Sequence, residues 1–248
     1  MTTTAVTPRS DEHLHPPREA TRVLTSALAT LEKRCLIWLA HRMPARVNSD
    51  HLTGLALVSM LGAGGAFWLA RVTSAGLWLA VACLALNWFG DSLDGTLARV
   101  RQQQRPRYGF YVDHVVDAVG AAALLLGLGL STYMSPMVAL LLLSAYLMLC
   151  VETFLATYSL GTFTLSYFKV GPTELRILLS IGTLAIHGRP AATVAGYVLR
   201  PLDLGGIIGA IGLLGTFVWS AARHTRLLYE LEPIPAAPSA KVDAIMPG

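Results

Sequence analysis

The stretch Asp91-Ser-Leu-Asp94-Gly95-Thr-Leu-Ala98-Arg99, nine residues rich in Arg and Gln, then Gly109-Phe-Tyr-Val-Asp113-His114-Val-Val-Asp117 lies between two long apolar segments. Four carboxylates therefore sit at the edge of what reads as a membrane. Such groups are expensive there unless compensated, and bound divalent cations are the simplest compensation. Asp91 and Asp94 are three apart and Asp113 and Asp117 four apart, so each pair shares one face of a helix. Two such helices facing each other would aim four oxygen ligands at one place, a set suited to Mg²⁺ or Mn²⁺ rather than to a soft metal. Gly95 lets a ligand approach the backbone. Arg99, one turn on, offers a planar fork for phosphate.

Working outward, the composition places the whole chain in the membrane class. Of 248 residues, 54% are hydrophobic and 14% charged, with a mean hydropathy of +0.54. Soluble domains carry nearer a quarter charged residues. Between His51 and Leu202 the acidic residues are Asp91, Asp94, Asp113, Asp117, Glu152 and Glu174 and no others, so acids within the apolar block are placed sparingly. Cys35, Cys83 and Cys150 have no paired spacing and read as small apolar fillers.

The expected fold is an all-α polytopic bundle of six transmembrane helices with an N-terminal interfacial amphipathic helix. Residues 1–17 read as a disordered tail without a cleavable signal peptide. Residues 18–46 hold the amphipathic helix, with Leu24, Leu28, Leu31 and Leu36 against Arg22, Lys33 and Arg42. The membrane block covers residues 47–230. Asn48 offers an N-cap to the first span, Leu52 to Ala70, where Gly62, Gly64 and Gly65 permit close packing. The second span runs from Thr73 through Phe89 into Asp91, the third from Gly109 to Tyr133, and the fourth from Ser135 to about Tyr158. The fifth starts at Pro172 and runs to His187, which is short; residues 191–202 are ambiguous; the sixth runs from Leu204 to about Ala222 with a helical extension. Residues 231–248 read as a second disordered tail.

With six spans, one side of the membrane carries Arg18 to Arg46, Arg99, Arg101, Arg105, Arg107, Lys169, Arg223 and Arg226, and the other Arg71, Arg189 and Arg200. The positive-inside rule then puts both termini and the acidic motif in the cytoplasm. The formal charge of +4 and pI near 9.1 thus have a topological explanation, and no nucleic-acid partner follows.

The pattern D-x2-D-G-x2-A-R-x9-G-x3-D-x3-D resembles the signature of the CDP-alcohol phosphotransferases, and all eight specified positions match. The resemblance implies an integral membrane enzyme of phospholipid biosynthesis that passes a substituted phosphate from a CDP-alcohol to an acceptor hydroxyl and releases CMP. It implies two Mg²⁺ or Mn²⁺ ions, about 4 Å apart as in other two-metal sites, held by Asp91, Asp94 and Asp113, with Asp117 a ligand, the base, or both. Gly95, Ala98, Arg99 and Gly109 would belong to the nucleotide site. The donor implied is CDP-diacylglycerol or a CDP-aminoalcohol; the other partners are the hydroxyl acceptor and membrane lipids, and a homodimer is the family habit. A bacterial inner membrane is the expected location.

His114 directly after Asp113 is similar to the Asp-His pair of choline and ethanolamine phosphotransferases, in which the His deprotonates the acceptor. An imidazole's ordinary pKa suits that task. The run from Glu152-Thr-Phe to Gly171-Pro172-Thr-Glu174 resembles a downstream region of the same enzymes. Glu152 and Glu174 are thereby candidates for binding the acceptor or orienting the base. The competing reading is a divalent-cation transporter or channel, which would be expected to show repeated halves or helices broken at midplane.

Overall fold

The computed structural model describes residues 29–160, 172–187, 192–194 and 197–234. The expected tail over residues 1–17, the start of the amphipathic helix, the loop 161–171 with Lys169, Arg189 and residues 235–248 lie outside the described residues. Helix α1 covers Ala29–Arg42, α2 Ser49–Leu69, α3 Ala75–Val100, α4 Pro106–Gly129 and α5 Pro136–Leu160. Then come α6 over Pro172–Ala185, a short antiparallel hairpin of β1 (Ala192–Val194) and β2 (Tyr197–Leu199), and α7 over Pro201–Leu231.

Local sequence explains most of these starts. The Asn48 side chain accepts the His51 N–H at 3.0 Å while His51 Nδ1 accepts the Asn48 N–H at 3.2 Å, a reciprocal cap on α2. Helices α4 to α7 each begin at a proline, which brings a fixed φ and gives up an N–H that has no partner in the first turn anyway.

Five helices, α2 to α5 and α7, are long and apolar enough to cross a membrane. The expectation of six such spans needs correcting at the fifth. Helix α6 has 14 residues, about 21 Å at 1.5 Å per residue, against a hydrocarbon core of about 30 Å. It nevertheless passes along α3. Near its start Arg176 pairs with Asp91, and just past its end His187 lies 5.9 Å from the Trp78 ring. Asp91 and Trp78 are thirteen residues apart, about 20 Å of helix. The six passes therefore alternate, and the starts of α2, α4 and α6 meet the ends of α3, α5 and α7 at one end of the bundle.

Packing uses close backbone approach, because lipid offers helices little hydrophobic reason to associate. A Cβ on Gly64 would strike the Ala123 carbonyl of α4, and one on Gly127 would strike Gly64 itself, so α2 and α4 cross there in backbone contact. Gly65, by contrast, faces open space. Away from the motif, Phe67, Leu77, Leu128, Ala139 and Ile186 form a buried apolar core. Near the motif, Leu36 and Ala40 of α1 pack on Leu93 and Leu97 of α3, and Leu31 and Trp38 stay exposed. The amphipathic helix thus uses one face on the protein and leaves another open.

Candidate active site

Helix α3 is seated by Gly90. A Cβ there would lie 2.6 Å from the Leu52 carbonyl oxygen, so α3 rests directly on the α2 backbone one turn before Asp94. That contact brings Asp94, only 6% exposed, beside Thr53. The Thr53 hydroxyl donates to Asp94 Oδ2 at 2.6 Å and the Gly95 N–H donates to Oδ1 at 2.5 Å. Ser49 adds a hydrogen bond to the Asp94 carbonyl at 3.0 Å. Both carboxylate oxygens are thereby oriented, as a buried carboxylate requires.

Asp91, one turn earlier, accepts from Arg176 Nη2 at 2.7 Å. Asp113 and Asp117, on the opening turns of α4, are exposed. Asp94 lies within electrostatic reach of Asp91 and Asp113, and the Tyr146 hydroxyl of α5 within reach of Asp117 and Asp91. Tyr146 is also hydrogen bonded to Cys150. The four acids thus lie at the same end of the bundle, with Tyr146 near Asp117 and Asp91 and with Arg176 on Asp91.

The donor chemistry of this region fits a hard divalent cation, since four carboxylates supply oxygen and nothing soft competes. A Cβ on Gly95 would meet only Arg99 Nη1, at 3.5 Å, so the backbone beside Asp94 is open to a ligand. As the side chains stand, no three His, Cys, Asp or Glu residues among those described converge tightly enough to cage an ion. Arg176 already occupies one of the expected ligands.

His114 is held firmly. Its Nδ1 lies 2.5 Å from the Phe110 carbonyl oxygen, so in the tautomer that bond requires Nδ1 donates and Nε2 keeps the lone pair. Phe110 packs against the ring at 4.1 Å between centroids and Phe154 of α5 meets it edge-on at 4.9 Å.

Glu152, 8% exposed, has no cationic neighbour in sequence, yet its Oε1 lies 2.6 Å from His224 Nδ1 of α7. Ser220 Oγ is 3.4 Å from the same nitrogen. The hydrogen bond of Glu152 goes to His224 and not to His114, and Glu152 Oε2 is buried with no partner among the described residues. Glu174 sits half-buried in the first turn of α6.

The basic loop divides by role. Arg99, an exposed residue, donates to Thr96 Oγ1 at 3.1 Å and lies beside Gly95. Arg101 instead donates to the Met43 and Pro44 carbonyls, each at 3.0 Å, and to Val47, closing the α1–α2 turn. Arg105 pairs with Asp50, which raises its already high pKa, and stacks over Tyr108 at 4.0 Å. Ala98 and Gly109 are half-buried, and a Cβ on Gly109 would meet nothing.

Thr53, Tyr146, Arg176 and His224 escaped the sequence reading as site residues. Arg176 carried a signal: a cation inside an otherwise apolar helix is a functional candidate with a partner to be found. Thr53 and Tyr146 carried none, since a Thr or Tyr in a span is ordinary.

A sequence model of CDP-alcohol phosphatidyltransferases matches residues 49–218, more than half of the chain and all four acids of the motif. The chain belongs to the CDP-alcohol phosphatidyltransferase family. It is thereby a membrane phosphotransferase, of a family that works with a CDP-alcohol donor, a hydroxyl acceptor and membrane lipids and is generally dependent on divalent metal. Among curated proteins no match is found.

Proposed function

We propose that the protein transfers a phosphatidyl or phosphoalcohol group from a CDP-alcohol to an acceptor hydroxyl, releasing CMP, as a step of phospholipid biosynthesis. The observation that supports this reading is the placement of Asp91 and Asp94 near the end of α3 and of Asp113 and Asp117 on the opening turns of α4, at one end of the bundle, with Asp94 buried and oriented by Thr53 and Gly95. Those four carboxylates would hold the divalent ions. Held there, Mg²⁺ or Mn²⁺ supplies positive charge against the donor pyrophosphate and the departing phosphate oxygen.

The remaining work falls to the chain. Arg99, exposed beside the open Gly95 backbone, grips the nucleotide phosphates. The acceptor oxygen bonds to the phosphorus that bears the alcohol, the bond from that phosphorus to the CMP oxygen breaks, and the acceptor proton passes to Nε2 of His114 or to Asp117. Positioning and electrostatics provide most of the acceleration in phosphoryl chemistry. The imidazole locked by Phe110 and Phe154 supports His114 as the base, and with it a CDP-aminoalcohol donor over CDP-diacylglycerol. Both termini and the site face the cytoplasm by the charge asymmetry of the loops, in a bacterial inner membrane.

The cation-pathway reading gains nothing here. The acids occupy one end, and away from them Phe67, Leu77 and Leu128 belong to a buried apolar cluster.

The test is direct. Membranes containing the protein, given radiolabelled CDP-diacylglycerol or CDP-aminoalcohols with Mg²⁺ or Mn²⁺, should yield a labelled lipid and CMP. No transfer from either donor class would refute the reading. His114→Ala should lose most turnover at every pH; a variant of normal activity would assign the proton to Asp117.

A further inference from the structure

Arg176 pairs directly with an acid of the motif, and it is built in an unusual way. Its Nη2 donates to Asp91 at 2.7 Å, while its Nη1 is buried with no hydrogen-bond partner among the described residues. The Arg176 side chain is 17% exposed and that of Asp91 32%. A guanidinium presents a fork of donors in fixed geometry, and leaving one arm dry is costly. An ion pair kept only for stability would satisfy both arms, because burying charges repays itself only when every donor finds an acceptor.

The mounting of the residue is rigid. One turn before it, Thr173 Oγ1 donates to Glu32 Oε1 at 2.7 Å, and Trp88 Nε1 of α3 donates to the same oxygen at 2.8 Å. Glu32 of α1 thus ties the start of α6 to α3 just below Asp91, so the guanidinium faces the motif by construction. Its unsatisfied arm is open to an anionic oxygen that the described residues do not provide.

We propose that Arg176 is a substrate-positioning residue with two successive partners: it neutralises Asp91 while no cation is bound, and it turns to a phosphate of the CDP-linked donor once a cation takes that carboxylate. The phosphate assignment rests on the reaction proposed above; the counter-ion assignment does not. A guanidinium and a divalent ion on one carboxylate repel each other, so each weakens the other's hold on Asp91 and the two compete for it. The competition keeps the acids from standing unneutralised in an apolar setting between turnovers. It also couples entry of the cation to release of the fork that the donor needs.

Two readouts on purified full-length protein in phospholipid-free detergent separate the parts. Mn²⁺ binding without donor, followed by electron paramagnetic resonance, should tighten about tenfold in Arg176→Gln, the factor carried by one charge-assisted hydrogen bond. The same variant should bind CMP, and raise the KM for the CDP-linked donor, about tenfold more weakly and tenfold higher respectively. Arg176→Lys keeps the charge without the fork; it should leave Mn²⁺ affinity near wild type while still weakening CMP. In an Asp91→Asn background, Arg176→Gln should no longer change Mn²⁺ affinity. Unchanged or weakened Mn²⁺ binding in Arg176→Gln overturns the proposal, and so does unchanged CMP binding. If Arg176→Gln does not fold, the Lys variant decides: CMP affinity equal to wild type overturns the phosphate role. A protein that binds Mn²⁺ as described yet transfers nothing from any CDP-alcohol would sink the reaction and leave the counter-ion standing.

Discussion

At the end of the bundle where α2 turns into α3, Phe67, Leu77 and Leu128 are almost wholly excluded from solvent and nothing polar separates them. At the opposite end, the same helices meet through Thr53 and Asp94, Asp91 and Arg176, Glu152 and His224. The first end is held by shape, with Gly64 and Gly127 in backbone contact within one helical turn of Phe67 and Leu128. The second is held by hydrogen bonds between helices distant in sequence, each of which fixes one candidate site residue. Cohesion and chemistry are therefore separated along the helix axis, so that residues can be costly to the fold or costly to the reaction without being both.

Substitutions at the two ends should separate these properties. The largest effect is expected from Asp113→Ala or Asp117→Ala, each lowering CMP release by about three orders of magnitude or more, as loss of an ion ligand does in metal-assisted transfer. Thermal unfolding of either variant should stay close to wild type, because both side chains are exposed. Chelation of divalent ions should silence the wild type to the same degree. Full turnover in either variant would remove the carboxylates from the mechanism.

At the apolar end, Gly127→Leu should reverse the pattern. Its side chain would enter the Gly64 backbone, and overpacking of this kind costs about 1–3 kcal/mol or more where backbone must move. The expected outcome is an aggregated or strongly destabilised protein by size-exclusion chromatography, whereas Gly65→Ala, facing open space, should behave as wild type. If both variants fold equally well, α2 and α4 do not cross as described.

A smaller effect is expected at Thr53. Thr53→Val removes the hydroxyl from Asp94 Oδ2 while keeping the volume, and a hydrogen bond to a charged group contributes about 1.5–3 kcal/mol. Turnover should fall roughly tenfold or more, and the melting temperature should fall by a few degrees as the buried carboxylate loses a partner. A loss of stability without loss of turnover would make Thr53 a packing residue. The smallest effect is expected at Arg105, whose exposed pair with Asp50 should contribute little to stability. Arg105→Ala should leave both CMP release and melting nearly unaltered, and a tenfold rise in donor KM would instead place Arg105 at the nucleotide.

The difference between the two ends also explains what was legible in the sequence. The spacing of Asp91, Asp94, Asp113 and Asp117 states which acids share a helix face, because helical periodicity is local. Five of the expected spans and the Asn48 cap follow from the same local rules. The partners of the acids do not. Thr53 is 41 positions from Asp94, Arg176 is 85 from Asp91, and His224 is 72 from Glu152. No periodicity connects residues that meet only after helices pack. Glu152 was recognisable as an acid needing compensation, but the compensating His224 read as part of a solvated extension. The shortness of the fifth span was itself legible, because Pro172 and the Gly188-Arg189-Pro190 break bound it, and α6 has 14 residues.

That shortness has a consequence for how two very different reactants meet. Where α6 stands, the hydrophobic wall of the protein is about 10 Å lower than the slab of lipid tails it faces. Bilayers answer such mismatch by thinning beside the short element. Next to Asp91 the leaflet should therefore dip, bringing the aqueous phase down to the acids. A water-borne nucleotide can arrive from above at the same depth at which a long-chain molecule slides in from the side.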